Sequence, residues 1–144
     1  VMAQSVVGAT PYATTEALLD ECIKQGVPLL LLGYKTTGRG ADFGCRDVTD
    51  DKMMRLLQKA QSAIHDKDPY AVGRGFHLSV DTAFLDRYSH ILDQLEVPKA
   101  LRTSPEGSFS MYVDAVTETC GPSSYCEAEL MEPIGNIRTQ FANW

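Results

Sequence analysis

Basic residues are few and scattered in this 144-residue chain: 13 Lys and Arg stand against 19 Asp and Glu, for a net charge of −6. Binding a phosphate backbone requires concentrated positive charge, so no nucleic-acid partner is expected. Long apolar runs are missing as well. The longest, from Val27 to Leu32, has six residues, where a membrane-crossing helix needs about 20, and no membrane span is expected. The first residues, Val1-Met2-Ala3-Gln4-Ser5-Val6-Val7, hold no basic stretch leading into an apolar core, so no secretory signal is read and a cytoplasmic location is expected. Cysteine is confined to positions 22, 45, 120 and 126. That is too few for a disulfide scaffold in a chain of this length, and reduced thiols are expected. Zinc-hydrolase spacings of histidine, a Gly-x-Ser-x-Gly elbow and a P-loop lysine are all lacking, which removes the support for those chemistries.

What remains is the make-up of an ordinary globular protein, with 44% hydrophobic and 22% charged residues, enough for one domain with a real core. Residues 5 to 9 read as a short strand closed by Thr10-Pro11. Thr14 or Thr15 can cap a helix in which Ala17, Leu18, Cys22 and Ile23 recur at helical spacing until Gly26 stops it. Leu29 to Leu32 is apolar at every position, as in a strand of a parallel sheet covered on both faces. Strand, helix and strand make a βαβ unit. Residues 36 to 50, rich in Gly, Thr and charge, form an expected loop long enough to carry function. Thr49 or Asp50 then caps a helix with Met53, Met54, Leu57, Ala60 and Ile64 on one side, ending near His65. A strand over 76 to 81 and a helix through Phe84, Tyr88, Ile91, Leu92 and Leu95 repeat the alternation. The style changes after residue 102, where residues 108 to 116 alternate apolar and polar before a turn-rich stretch, which reads as a β-hairpin. Asn136 can cap a last short helix with Ile137, Phe141 and Trp144 on one side.

Several residues stand where chemistry would be placed. Gly38-Arg39-Gly40 follows the all-leucine strand, at the strand end where α/β sites lie. It offers backbone N–H groups and a guanidinium to a carboxylate or an adenosine group, or else it is a surface loop with a solvated arginine. Tyr34 and Lys35 share that position. Asp81, at the end of a strand, is either a ligand group of a barrel mouth or the N-cap of the following helix. Cys120 and Cys126 form a metal pair, a redox pair or two small hydrophobes near a turn. Cys22 reads as a core residue, Cys45 as an exposed loop thiol, and His77 as a strand histidine.

The segment from Leu29 through Gly33-Tyr34-Lys35-Thr36-Thr37-Gly38-Arg39-Gly40 is similar to a late barrel strand and its loop in radical S-adenosylmethionine (SAM) enzymes. The stretch Glu106-Gly107-Ser108-Phe109-Ser110-Met111-Tyr112-Val113-Asp114, with Pro122-Ser123-Ser124-Tyr125, Gly135-Asn136-Ile137 and Trp144 behind it, resembles the SPASM-like C-terminal extension of that superfamily. The resemblance implies an α/β fold with a mostly parallel sheet. Residues 1–102 would be the later part of an open, partial β/α barrel, and 103–144 a C-terminal extension of hairpin plus short helix. It also implies that Lys35, Gly38, Arg39 and Gly40 line a cofactor or substrate cleft. The family's Cys-x3-Cys-x2-Cys cluster loop and its Gly-Gly-Glu segment have no counterpart here. The resemblance therefore implies a chain that is not catalytic alone and meets S-adenosylmethionine and a 4Fe-4S cluster only when joined to an N-terminal half. Positions where such relatives carry cysteine are Thr82 or Ala83, Ser104 and Ser123, which leaves Cys120 and Cys126 as the remaining candidate metal ligands. A half barrel would leave a sheet edge open, so the expected partner is that N-terminal half or a second copy of the chain. The competing reading is a non-catalytic binding or assembly module that has lost its cluster ligands.

Overall fold

A computed structural model describes residues 1–36, 39–44, 48–65, 75–99, 102, 111–124 and 126–142. The chain divides into two compact units, Val1–Thr103 and Ser104–Trp144. The first is α/β with a parallel sheet, and the second is built on a small antiparallel sheet. Among the described residues no helix is long and apolar enough to cross a membrane.

In the first unit, β1 (Ala3–Val6), β2 (Leu29–Leu32) and β3 (Leu78–Val80) pair in parallel in the order β1-β2-β3. The register sets Ala3 beside Leu29 and Leu29 beside Leu78, with Ser5, Leu31 and Val80 aligned two residues on. Strand alternation puts these six residues on one face and Gln4, Val6, Leu30, Leu32 and Ser79 on the other. The crossovers carry α1 (Tyr12–Gln25) and α3 (Asp50–His65), and α4 (Thr82–Gln94) follows β3. α1 packs on α3, and α3 on α4, so the three helices form one layer. Leu29 and Leu31 are fully buried in a core with Leu19 of α1, Met53 and Leu56 of α3, and Phe84, Tyr88 and Ile91 of α4. Leu30 and Leu32, on the other face, are only half-buried.

Local chemistry sets most element limits, and several differ from the sequence-based reading, among them β3, which spans Leu78–Val80 rather than 76 to 81. β1 spans Ala3–Val6 rather than residues 5 to 9, because Gly8 takes φ 90° and the Ala9 amide turns back to the Val6 carbonyl at 3.1 Å. A chain that has turned cannot continue the ladder. α1 begins at Tyr12, directly after Pro11, and no side chain caps it. Thr15 is instead buried against the sheet, its hydroxyl 3.3 Å from that of Ser5. Gly26, at φ 65°, ends the helix as expected and sends its amide back to the last turn. The expected loop over 36 to 50 contains a further helix, α2 (Arg39–Phe43). One and a half turns give too few positions for an apolar stripe, so periodicity cannot reveal so short a helix.

In the second unit, β4 (Tyr112–Asp114) and β5 (Thr119–Gly121) form the antiparallel hairpin, with Val113 opposite Cys120. Asp114 shapes the turn: its Oδ1 accepts from the Val116 amide at 2.8 Å and the Thr117 amide at 3.2 Å. A third strand, β6 (Glu132–Pro133), pairs with β5. It carries no alternation to announce it, and its proline fits an edge position. α5 (Ile137–Ala142) starts where Asn136 Oδ1 accepts from the amides of Arg138 and Thr139, at 3.1 and 3.3 Å.

Candidate functional site

The C-terminal ends of β2 and β3 gather the residues best placed for function. Asp81 is the residue after β3, and one of its oxygens, Oδ1, accepts two amides at 2.8 Å each. Phe84 N, in the first turn of α4, makes it the N-cap. Gly33 N, just past β2, makes it a clasp between adjacent strands. The Asp81 amide in turn donates to the Leu31 carbonyl at 3.2 Å. The sequence alone leaves Asp81 as either a cap or a ligand group; the structure assigns it the cap and adds the clasp to Gly33.

Gly33 lies hard against the start of α4. A Cβ built there would collide with the carbonyl group of Ala83 and the amide nitrogen of Phe84. Close approach of backbone to backbone is what glycine permits, and here it draws the helix start onto the strand end. The same device recurs at Gly40, where a Cβ would strike the Lys35 carbonyl oxygen. Tyr34 reinforces the contact, its hydroxyl donating to the Gly40 carbonyl at 2.5 Å. The segment after β2 therefore doubles back through α2, and Tyr34, Lys35 and Gly40 meet at one place. Tyr34 and Lys35 are half-buried there. Arg39 opens α2, and Gly38 lies outside the described residues, as does the side chain of Arg39. The Gly-Arg-Gly stretch is thus not a plain loop: it enters a helix, and Gly40 serves in close packing.

The cysteines have different settings. Cys22 is buried in α1, and burial together with the neighbouring Glu21 carboxylate pushes its thiol pKa up, which keeps it protonated and unreactive. Cys45 lies outside the described residues. Cys120 is fully buried on β5. Cys126 Sγ lies 3.2 Å from the Ser123 carbonyl oxygen and 3.4 Å from Met131 Sδ. Both sulfurs crowd the position where Gly121 would carry a Cβ. Successive strand residues face opposite ways, so the Cys120 side chain points to the other face of β5. Cys22, Cys120 and Cys126 are all free thiols. Among the described residues no three or more His, Cys, Asp or Glu side chains gather as a metal-holding group.

His77 is exposed, just before β3, and its carbonyl accepts the Leu29 amide at 3.0 Å. His90 on α4 is paired with Asp50 at the start of α3, Nε2 to Oδ2 2.9 Å. The side chain of His65 lies outside the described residues. Sequence reasoning missed the Asp81–Gly33 clasp and the Tyr34–Gly40 bond. The second had a faint signal, a tyrosine six residues before a glycine at a strand end; the first joins positions 48 apart and had none.

No family profile, no curated protein and no solved structure matches this chain. The strand ends present backbone amides, a tyrosine hydroxyl, a lysine and a carboxylate already engaged by two amides. The amides of Gly33 and Phe84, the Asp81 carboxylate and the Tyr34 hydroxyl are each engaged within the chain.

Proposed function

We propose that this chain is the C-terminal portion of a radical SAM type protein. In this reading it contributes several strands and helices of an open β/α barrel, with the second unit as the C-terminal extension. The observation that carries the proposal is the sheet itself: three parallel strands in sequential order, with their helices in one layer on one face. Consecutive parallel strands with all helices outside are how a β/α barrel is wound, whereas a doubly wound sheet reverses its strand order and carries helices on both faces. The half-buried Leu30 and Leu32 would then look into the barrel. The ends of β2 and β3, with Lys35, Arg39, Gly40 and Asp81, would form part of its mouth, where Lys35 and the Gly38-Arg39-Gly40 stretch contact cofactor or substrate. The chain has no cluster loop of its own, so radical chemistry requires an N-terminal half paired along the open edge of β1.

The test is anaerobic reconstitution with iron and sulfide. The 144-residue chain alone is expected to stay colourless. Mixed with a cluster-bearing N-terminal half of a radical SAM barrel, it is expected to form a one-to-one complex that binds S-adenosylmethionine more tightly than that half does alone. Absence of any complex, or a complex with unchanged affinity, overturns the proposal.

A second reading, a binding or assembly module without radical chemistry, is favoured by one observation. Ser123, at a position where the resemblance places a cysteine, is 4% exposed beside the loop of Cys126. A stoichiometric cluster on the chain alone would exclude that reading.

A further inference from the structure

Between α3, α4 and the edge strand β3 lies a cavity of about 510 Å³, within the size range of pockets that enclose small organic ligands. Its wall is almost entirely apolar, from Leu57 and Ile64 on α3, Leu78 and Val80 on β3, Leu92 on α4, and Pro98 beyond it. It uses none of the residues assigned to the barrel mouth. Its polar groups are Gln61, Ser79 and Arg102. Gln61 is committed in part, its amide donating to the Leu95 carbonyl at 3.2 Å.

Arg102 is the exceptional group. Its side chain is only 12% exposed. It is held from three sides: Nη1 lies 2.7 Å from Asp93 Oδ1, Nη2 lies 2.6 Å from the Val97 carbonyl, and its own amide donates to the Lys99 carbonyl at 3.0 Å. Nε, by contrast, is buried and has no hydrogen-bond partner among the described residues. A buried donor left unpaired is rare and costly, and this one belongs to a residue that lines an apolar cavity. Asp93 is held below its ordinary pKa chiefly by its hydrogen bond with Arg102, with Lys99 and His90 contributing. Arg102 and Asp93 pair one to one, and Nε is left as the unsatisfied donor.

We propose that this cavity binds a monocarboxylate with an apolar tail, the tail lying among the α3, α4 and β3 side chains and the carboxylate accepting from Arg102 Nε. One acceptor satisfies the orphan donor, and the apolar side chains of α3, α4 and β3 suit a long aliphatic chain. A guanidinium fixed through its other nitrogens is already oriented, so little freedom is lost when the carboxylate arrives.

Decanoate and decanol, equal in tail and different in head, test the proposal on the unaltered chain by calorimetry and by the ¹H–¹⁵N signal of Arg102 Nε. Decanoate is expected to bind saturably, to shift that signal, and to bind at least about tenfold more tightly than decanol, the effect of one charge-assisted hydrogen bond. Arg102→Met should abolish the difference between the two ligands. Ile64→Trp, at a half-exposed position on the cavity's rim, should weaken both. Decanoate that does not saturate, decanol that binds equally well, or an unmoved Nε signal would each overturn it. Should Arg102→Met fail to fold, the comparison of the two ligands on the unaltered chain still decides.

Discussion

A methyl group at position 33 has nowhere to go, since backbone atoms of Ala83 and Phe84 already occupy its place. Backbone cannot rotate aside as a side chain can, so Gly33→Ala must push α4 away from β2 or tear the Asp81 clasp. The expected cost is about 1–3 kcal/mol, the usual range for overpacking a tight site, read as a fall in the urea midpoint with an unchanged slope. Sequence reading fared unevenly at this scale. Asn136 as a cap, and the cap role offered for Asp81, were legible because a cap and the amides it receives lie within three residues of each other. Gly33 was not, because what it must avoid comes from the far side of a crossover. Arg102 was equally hidden: among the scattered basic residues nothing in its local sequence separates it from the rest, and only its burial does.

Among the elements, the hairpin of β4 and β5 turns in the open, with Val116 93% exposed. Val116 and Thr117 donate to one oxygen of Asp114, and these two hydrogen bonds hold its carboxyl below the ordinary aspartate range. A lowered folded-state pKa contributes stability that is present above the unfolded value and is lost as pH falls through the folded one. The turn is therefore expected to be intact at neutral pH and to loosen as pH drops below about 4. The amide signals of Val116 and Thr117 should move together there. Signals that hold still down to pH 2 would contradict this. β2 was legible as an all-apolar run, and the long helices α3 and α4 from a sustained 3.6-residue stripe. α2 and β6 were not, since five residues and two residues give no period to read. β1 was found but displaced toward the C-terminus, since the apolar Val7 reads as strand while Gly8 in fact turns the chain.

For the molecule as a whole, the outer side of β1, which pairs with no other strand among the described residues, is the feature with the widest reach. The amides of Ala3 and Val7 reach β2 at 2.9 Å each, on the carbonyls of Pro28 and Leu32, and strand alternation turns the amides of Gln4 and Val6 outward. Natural proteins protect such edges with charge, proline or a covering segment, and β1 has neither charge nor proline. Strand addition by a second chain is therefore expected, and Gln4→Pro should prevent it without removing a bond to β2. Sedimentation at rising concentration checks this: the unaltered chain should associate and the variant should not, whereas two identical monomeric profiles would count against an edge-mediated partner. The parallel α/β class was legible from the repeated strand and helix pattern. The number of strands that pair, and where the sheet stops, depends on contacts that no local pattern encodes. The Asp81 clasp also has a bearing on the order of assembly. Its two amides come from segments 48 residues and 3 residues away, so the start of α4 depends on a strand laid down much earlier. Because a ribosome delivers the chain from its N-terminus, Gly33 is already in hand when Asp81 emerges. The helix can then be capped and docked in a single event, with no stage at which it must wait for its partner to be made.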